Sequence, residues 1–314
     1  IGDGGYEYAS NVDAHRLVVA DLCPIAELLA EGDFDAVATV YRDGVNSINS
    51  DGTIRSIAGF TTAEDRNDGL ADYYGTPNPI DDFVRAALDG TGPFAEESEA
   101  VRAQAVEKGM RNQAMVAWVV HELNSALAKA SDGDFDVAQG AVHNWDEGWA
   151  YFHGSAPDCA PFATGNSRAQ NFGTVASDGV TAAANEAILA AMIDGREALL
   201  GEDLDGAAAA VDDIVRGVVI TYSQAAIRYA ALIEDGLAEG DDAAAEQHQA
   251  EGLAFWRVIE AYVAGEGADV DTVNAVFDLA ADPGANGFGD EVRAALQPAW
   301  DGLGISDQDI GVLQ

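Results

Sequence analysis

Histidine and glutamate recur at helical spacing in two similar phrases of this 314-residue chain. His143 lies four residues before Glu147, and His248 lies three residues before Glu251. On a helix, these spacings place both side chains on one face, within reach of a shared ion. Imidazoles and carboxylates that project from packed helices form the metal sites of helical bundles. We therefore treat both phrases as candidate metal-binding segments.

Further candidate ligands lie in the helices predicted around the first phrase. His121 and Glu122 belong to the preceding helix, and antiparallel packing would bring one of them toward His143 and Glu147. Hard oxygen ligands with one or two imidazoles suit iron or manganese better than copper(I). A phenolate, for which Tyr41 is a candidate, would favour ferric iron. The residues alone therefore favour iron or manganese.

Ordinary structural roles compete with these assignments. A helical histidine–glutamate pair in an acidic protein is often only hydrogen-bonded, and this alternative stays open for both phrases. For His15 and His153 the structural role is the favoured interpretation. Arg168, one of few cations, would bind an anion such as carbonate beside a metal or, more commonly, neutralise a buried acid. The aromatic pairs that end both phrases are expected to pack in the core.

Helical periodicity dominates the chain, and the two phrases match in register. Glu147 aligns with Glu251, and Gly148 aligns with Gly252. The sequence therefore predicts an all-α fold, a duplicated helical bundle with two related halves packed into one body. The predicted units are a first repeat at 1–160 with an insertion near 44–93, a connector at 161–180, and a second repeat with C-terminal helices at 181–314. The predicted helices are 11–31, 33–41, 80–89, 96–130 broken at Gly109, 135–152, 181–200, 204–235, 241–263 and 268–300.

The charge balance excludes several classes of partner. The chain has 15 basic and 55 acidic residues, a net charge of −40, yet 48% of its residues are apolar. Acid spread over a foldable chain is typical of a halophile's surface, where molar salt screens the self-repulsion. Nucleic acid and anionic lipid are poor partners for such a surface. The sequence contains no apolar run long enough to span a membrane and none of the common phosphate-loop, nucleophile-elbow or HExxH motifs.

Cysteine content and the first residues bear on location. Cys23 and Cys159 could form one disulfide or remain two buried thiols. The start at Ile1, before a glycine-rich segment, fits an exported protein whose signal has been removed, although a shortened chain would look the same. We expect an extracytoplasmic protein, secreted or associated with the cell surface.

Six segments resemble a known family, the algal iron-assimilating, high-CO2-inducible periplasmic proteins, to which phytotransferrins are considered related. The resemblance covers about residues 12 to 265 and rests on short motifs at 29–47, 55–60, 121–126, 145–154, 166–173 and 250–257. It implies an extracytoplasmic protein that binds ferric iron for uptake. It also makes carbonate a candidate for a synergistic anion that binds together with the iron. The acid-rich, lysine-poor composition departs from the algal pattern and points to a halophilic prokaryote.

The leading hypothesis is an exported ferric-iron-binding protein whose ligands come from the duplicated helices, with Glu147 and Glu251 as the firmest candidates. Its other expected partner is an uptake or redox protein at the cell surface. One alternative is a dimetal or redox enzyme that uses the same carboxylates and histidines, which would need an open coordination position. The other is a metal-free helical interaction or structural module.

Overall fold

The structure, a computed structural model, describes residues 2–63, 66 and 69–314. Helices make up nearly all of its regular structure, which confirms the all-α prediction. Two short strands, β1 (Gly2–Asp3) and β2 (Tyr6–Glu7), pair antiparallel, with Gly2 opposite Glu7 and Asp3 opposite Tyr6. Among the described residues, every helix is too short or too polar to cross a lipid bilayer.

The helices follow one another through short turns. The α-helices are α1 (Ile25–Ala30), α2 (Phe34–Asp43), α3 (Ile57–Thr61), α4 (Leu70–Tyr74), α5 (Pro79–Asp89), α6 (Glu99–Lys108), α7 (Met115–Ser131), α8 (Ala141–Phe152), α9 (Pro161–Phe172), α10 (Ala183–Leu200), α11 (Leu204–Glu239), α12 (Asp242–Ala264), α13 (Val270–Val276), α14 (Gly289–Leu303) and α15 (Asp307–Ile310). The 3₁₀ helices are His15–Leu22, Gly92–Phe94 and Pro157–Cys159, and a π-helical turn spans Gly109–Ala114.

Aspartate side chains start several of these helices. Asp33 accepts a hydrogen bond from the backbone N–H of Ala36 at the start of α2, and Asp203 and Asp241 do the same for α11 and α12. Each such cap satisfies an N–H that the first helical turn leaves unpaired and contributes about 1 kcal/mol. Part of the large acidic content therefore serves helix formation.

Three segments differ from the sequence-based expectation. Residues 11–31 form a 3₁₀ helix and α1, separated by Pro24, instead of one α-helix. The helix predicted at 135–152 begins only at Ala141, because Asp136 accepts hydrogen bonds from the backbone N–H groups of 138 and 139 and holds a turn. The connector predicted at 161–180 contains α9, which Pro161 starts from its first position.

Helix packing brings the two phrases into the core. The longest helix, α11, packs against α10 and α12, while α7 packs against α8 as predicted. Tyr151 and Phe152 in α8 and Phe255 and Trp256 in α12 are buried, which confirms their core role. A Cβ atom at Gly252 would overlap the ring of Phe277, so this glycine allows a close approach.

A disulfide links the start of the chain to the segment after α8. Cys23 and Cys159 are bonded across 136 positions, with their Cα atoms 5.2 Å apart. Cys23 directly follows the 3₁₀ helix His15–Leu22, and Cys159 ends the 3₁₀ helix Pro157–Cys159. The bond therefore fastens the segment that carries His15 close to α8.

Candidate metal centre

Two imidazoles and one carboxylate meet at the surface of α8. The Nε2 atoms of His15 and His143 lie 3.0 and 2.9 Å from the same oxygen, Oε1 of Glu147. One ligand atom from each of the three residues lies within 4.8 Å of the others. We call these three residues the histidine–glutamate centre. Their side chains keep 11 to 18% of their surface exposed, so an ion in solution can reach them.

A buried hydrogen-bond chain fixes the ring of His143. Asp146 accepts hydrogen bonds from the Tyr6 hydroxyl at 2.7 Å and from the Ser10 hydroxyl at 2.8 Å. With its proton committed to Asp146, Ser10 Oγ acts as the acceptor for Nδ1 of His143, 3.0 Å away. This arrangement assigns a proton to Nδ1, so Nε2, which faces Glu147 at 2.9 Å, is the nitrogen that would bind a metal after losing its own proton. Such outer partners orient metal-binding histidines and fix their tautomer.

The helix facing α8 adds a second carboxyl group. Glu122 in α7 accepts hydrogen bonds from Trp118 Nε1 at 3.0 Å and from Asn144 Nδ2 at 2.5 Å. Burial, together with the negative charge of Glu147, raises the pKa of Glu122 to about 7. The charge of His121 also acts on Glu122, so this histidine lies nearby.

Opposite charge holds Glu147 in its ionised form. Burial alone would raise its pKa, but hydrogen bonds from His143 and His15 and the charges of both rings lower it well below its usual value. The hydrogen bond with Glu147 in turn raises the pKa of His143. The centre thus keeps Glu147 ionised, whereas Glu122 is only partly ionised near neutral pH.

A guanidinium group competes for one nitrogen of the centre. Arg55 Nη2 lies 2.8 Å from Nε2 of His15, the same atom that faces Glu147. Arginine can only donate, whereas Glu147 can only accept, so this nitrogen cannot satisfy both. The Nδ1 atom of His15 is buried without a hydrogen-bond partner among the described residues. His15 is therefore the member of the centre whose hydrogen bonds are least well satisfied.

The second phrase carries a different set of partners. Glu251 Oε2 lies 3.0 Å from Nδ1 of His248, but its Oε1 lies 3.2 Å from the ammonium of Lys108. Burial would raise the pKa of Glu251, and the contacts with His248 and Lys108 lower it. The ammonium of Lys108 thus contacts one oxygen of Glu251. In the first phrase, Glu147 has histidines as its partners instead.

The other two predicted site residues lie apart from the histidine–glutamate centre. Arg168 in α9 lies with its Cζ atom 5.5 Å from the ring centroid of Tyr229, and the charge of Glu251 acts on it. Tyr41 in α2 hydrogen-bonds through its hydroxyl to Thr61 and Asp81. The structure therefore brings together His143 and Glu147, with Glu122 near enough for the charge of Glu147 to act on it, whereas Nε2 of His121 lies 3.4 Å from Ser125 Oγ on its own helix.

His15 and Arg55 were not predicted as members of the site. His15 is separated from Glu147 by more than a hundred residues, and its 3₁₀ helix gives no periodic pattern that would mark its inward face. Arg55 lies in the segment that we interpreted as an insertion. The one available signal was scarcity, because only five histidines occur in the chain.

The donor set fits a metal ion. Two imidazoles and one or two carboxylates match the preferences of iron and other first-row metals, and the ligand atoms need only small rotations to reach about 2 Å from a shared ion. Ionisation of Glu122 would supply a further oxygen ligand. The partly exposed side leaves room for additional ligands from solution.

Comparison with known proteins gives one match. A family model described as Fea1, low iron-inducible periplasmic protein, matches residues 3–314. No curated protein and no solved structure matches the chain. The match covers almost the whole chain and confirms the resemblance found in its short motifs.

Proposed function

We propose a function from the premise that this chain belongs to the Fea1 family of low iron-inducible periplasmic proteins. The family is periplasmic, and the protein is accordingly extracytoplasmic. We propose that it binds ferric iron at the histidine–glutamate centre and presents the metal to an uptake or redox partner at the cell surface. The family description connects the chain with iron; the ferric state and the site are our proposal.

One observation carries this proposal. One ligand atom from each of His15, His143 and Glu147 converges within 4.8 Å, and Ser10 accepts a hydrogen bond from Nδ1 of His143, so Nε2 is the nitrogen that would bind the metal. Glu122, which lies near enough for the charge of Glu147 to act on it, would complete a set of two imidazoles and two carboxyl groups. Carboxylate oxygens are hard ligands and suit the higher charge of ferric iron.

We also propose carbonate as the companion anion of the iron. Arg55 lies 2.8 Å from His15 and is a cation that could neutralise an anion at this centre. A bound carbonate would accept hydrogen bonds from Arg55, while His15 Nε2 would bind the metal. This arrangement would remove the conflict between donors and acceptors at His15.

The two matched phrases supply the test. Protein loaded with ferric salt in high-salt buffer is desalted and analysed for iron, with and without bicarbonate. We expect stoichiometric iron in the wild type and strong loss in Glu147→Gln and His143→Asn. The matched variants Glu251→Gln and His248→Asn change the same residue types in the second phrase and should retain iron. Arg55→Gln should retain iron but lose its dependence on bicarbonate.

The pattern of loss also shows how the proposal would fail. Iron retained in Glu147→Gln and His143→Asn but lost in Glu251→Gln would move the metal to the second phrase. Absence of iron from the folded wild type after ferric loading would refute iron binding altogether. Circular dichroism of each variant distinguishes loss of the site from loss of the fold.

A further inference from the structure

A second polar cluster surrounds Glu251 and Tyr229. Four of the fifteen basic residues of the chain meet there, against two carboxylates, Glu107 and Glu251. Four positive charges minus two negative charges leave this cluster at +2 among the described residues, in a chain with 55 acids. Its cations are Lys108, Arg111, Arg168 and Arg228. We call this group the Arg168 cluster.

Its two carboxylates are already engaged by other cations. Lys108 Nζ lies 2.7 Å from Glu107 Oε2 and 3.2 Å from Glu251 Oε1. The other oxygen of Glu107 lies 3.3 Å from Nη1 of Arg111, and the other oxygen of Glu251 pairs with His248. The carboxylates therefore have little capacity left for a further cation.

Arg168 is buried with part of its hydrogen-bonding capacity unused. The residue is 9% exposed, and its Nε and Nη1 atoms have no hydrogen-bond partner among the described residues. Burial lowers the pKa of Arg168, an effect that the hydroxyl of Tyr229 opposes. A buried guanidinium needs a partner for each N–H group, because an unmade charged hydrogen bond is costly.

The π-helical turn Gly109–Ala114 supplies more unpaired polar atoms. Nε of Arg111 and both side-chain polar atoms of Gln113 are buried without partners among the described residues. Between them, Asn112 Oδ1 accepts a hydrogen bond of 2.7 Å from Thr164. Thr164 lies one turn before Arg168 on α9, so this bond holds the Arg168 side of α9 against the π-helical turn. Turns of this kind often occur at functional sites.

Arg111 and Arg168 act on a common region of the interior. Burial raises the pKa of the Tyr222 hydroxyl, and the charges of these two guanidinium groups both oppose that rise. Tyr222 donates a hydrogen bond of 2.9 Å to Asn112, at the centre of the π-helical turn. Both arginines therefore lie near enough to the Tyr222 hydroxyl for their charges to act on it.

Excess positive charge and unpaired hydrogen-bond donors together indicate that the partner of this cluster is an anion. Arginine matches oxyanions because its planar N–H groups meet their oxygen atoms with charge-assisted hydrogen bonds. We propose that the Arg168 cluster binds a small inorganic oxyanion, held by Arg168 and Arg111 beside the rings of Tyr222 and Tyr229. Gln113 can donate to the same oxygens through its Nε2 atom.

This site is separate from the proposed iron site. None of its residues belongs to the histidine–glutamate centre, so anion binding does not depend on iron. The anion would hold α9, α11 and the π-helical turn together, as a structural ion.

Titration of the metal-free protein with phosphate, at constant sodium concentration, tests the site by calorimetry. We expect saturable binding of one phosphate per chain. Arg168→Gln and Arg111→Gln should each weaken the affinity by about tenfold or more, since each removes a charge-assisted hydrogen bond. The matched control is Arg85→Gln, because the Arg85 side chain is 61% exposed and lies on α5; its affinity should equal that of the wild type.

Clear outcomes would overturn the proposal. Absence of saturable heat with phosphate and with bicarbonate would mean that water alone satisfies the unpaired atoms. Equal affinity in the wild type and in folded Arg168→Gln and Arg111→Gln would place the anion elsewhere, as would binding that appears only after ferric loading. If Arg168→Gln does not fold, Arg111→Gln decides the question, because the Arg111 side chain is 22% exposed and tolerates replacement better.

Discussion

Removal of the disulfide should affect both stability and metal binding. The bond between Cys23 and Cys159 closes a loop of 136 positions. In the chain-entropy treatment, a loop of this length lowers the entropy of the unfolded chain by about 17 cal/mol/K, which corresponds to about 5 kcal/mol at 25 °C. With an unfolding entropy of about 2.1 cal/mol/K per residue over 314 residues, removal of the disulfide would lower the Tm by about 8 °C.

The assay is thermal unfolding of the wild type and of the Cys23→Ser/Cys159→Ser variant in the same high-salt buffer. Wild type treated with a reductant is the control, and its Tm should approach that of the variant. The variant should also bind iron more weakly, because the 3₁₀ helix that carries His15 ends directly before Cys23. Equal melting temperatures, when thiol titration finds no free thiol in unfolded wild type, would refute the argument from loop closure.

Two further predictions concern packing and charge. Gly252→Ala should destabilise the fold by about 1 to 3 kcal/mol, because its Cβ would overlap the ring of Phe277; Gly148→Ala, whose nearest neighbouring atom would lie at 3.1 Å, should change the denaturation midpoint far less. Similar losses in both variants would contradict this. Burial would raise the pKa of Asp3, but hydrogen bonds, above all from Arg16, lower it. Asp3→Asn should therefore cost about 1 to 3 kcal/mol at neutral pH. Because a lowered pKa stabilises the fold above the usual value of 3.8, that difference should disappear as the pH falls through the lowered pKa, and a difference that persists there would refute the ion-pair explanation.

Local sequence patterns predicted which segments are helical better than they predicted where each helix begins and ends. Periodicity identified α7, α8, α11 and α12, since each buries a continuous apolar face. The start of α8 at Ala141 was missed because Asp136 holds the preceding residues in a turn, which competes with helix formation. The duplication and the domain boundaries remain predictions.

The site was predictable only where its residues share one helix or two adjacent helices. His143 and Glu147 follow from helical spacing, and Glu122 follows from the antiparallel packing of α7 on α8. His15 reaches the centre through tertiary contacts that leave no periodic trace. Likewise, the spacing of His248 and Glu251 could not show that Lys108 would approach Glu251 from another helix.

The π-helical turn Gly109–Ala114 lies on the helical path that joins the two proposed sites. Lys108, just before the turn, contacts Glu251, whereas Glu122, on the helix after it, contacts Glu147. A π turn contains one residue more than an α turn, so deletion of one residue here would restore a regular helix. Because that extra residue is taken up within the wider turn, α6 and α7 would keep nearly the same relative rotation. One helical path thus carries side chains of both clusters, and a one-residue deletion within the turn would alter the Arg168 cluster while it leaves Glu122 on α7 facing α8.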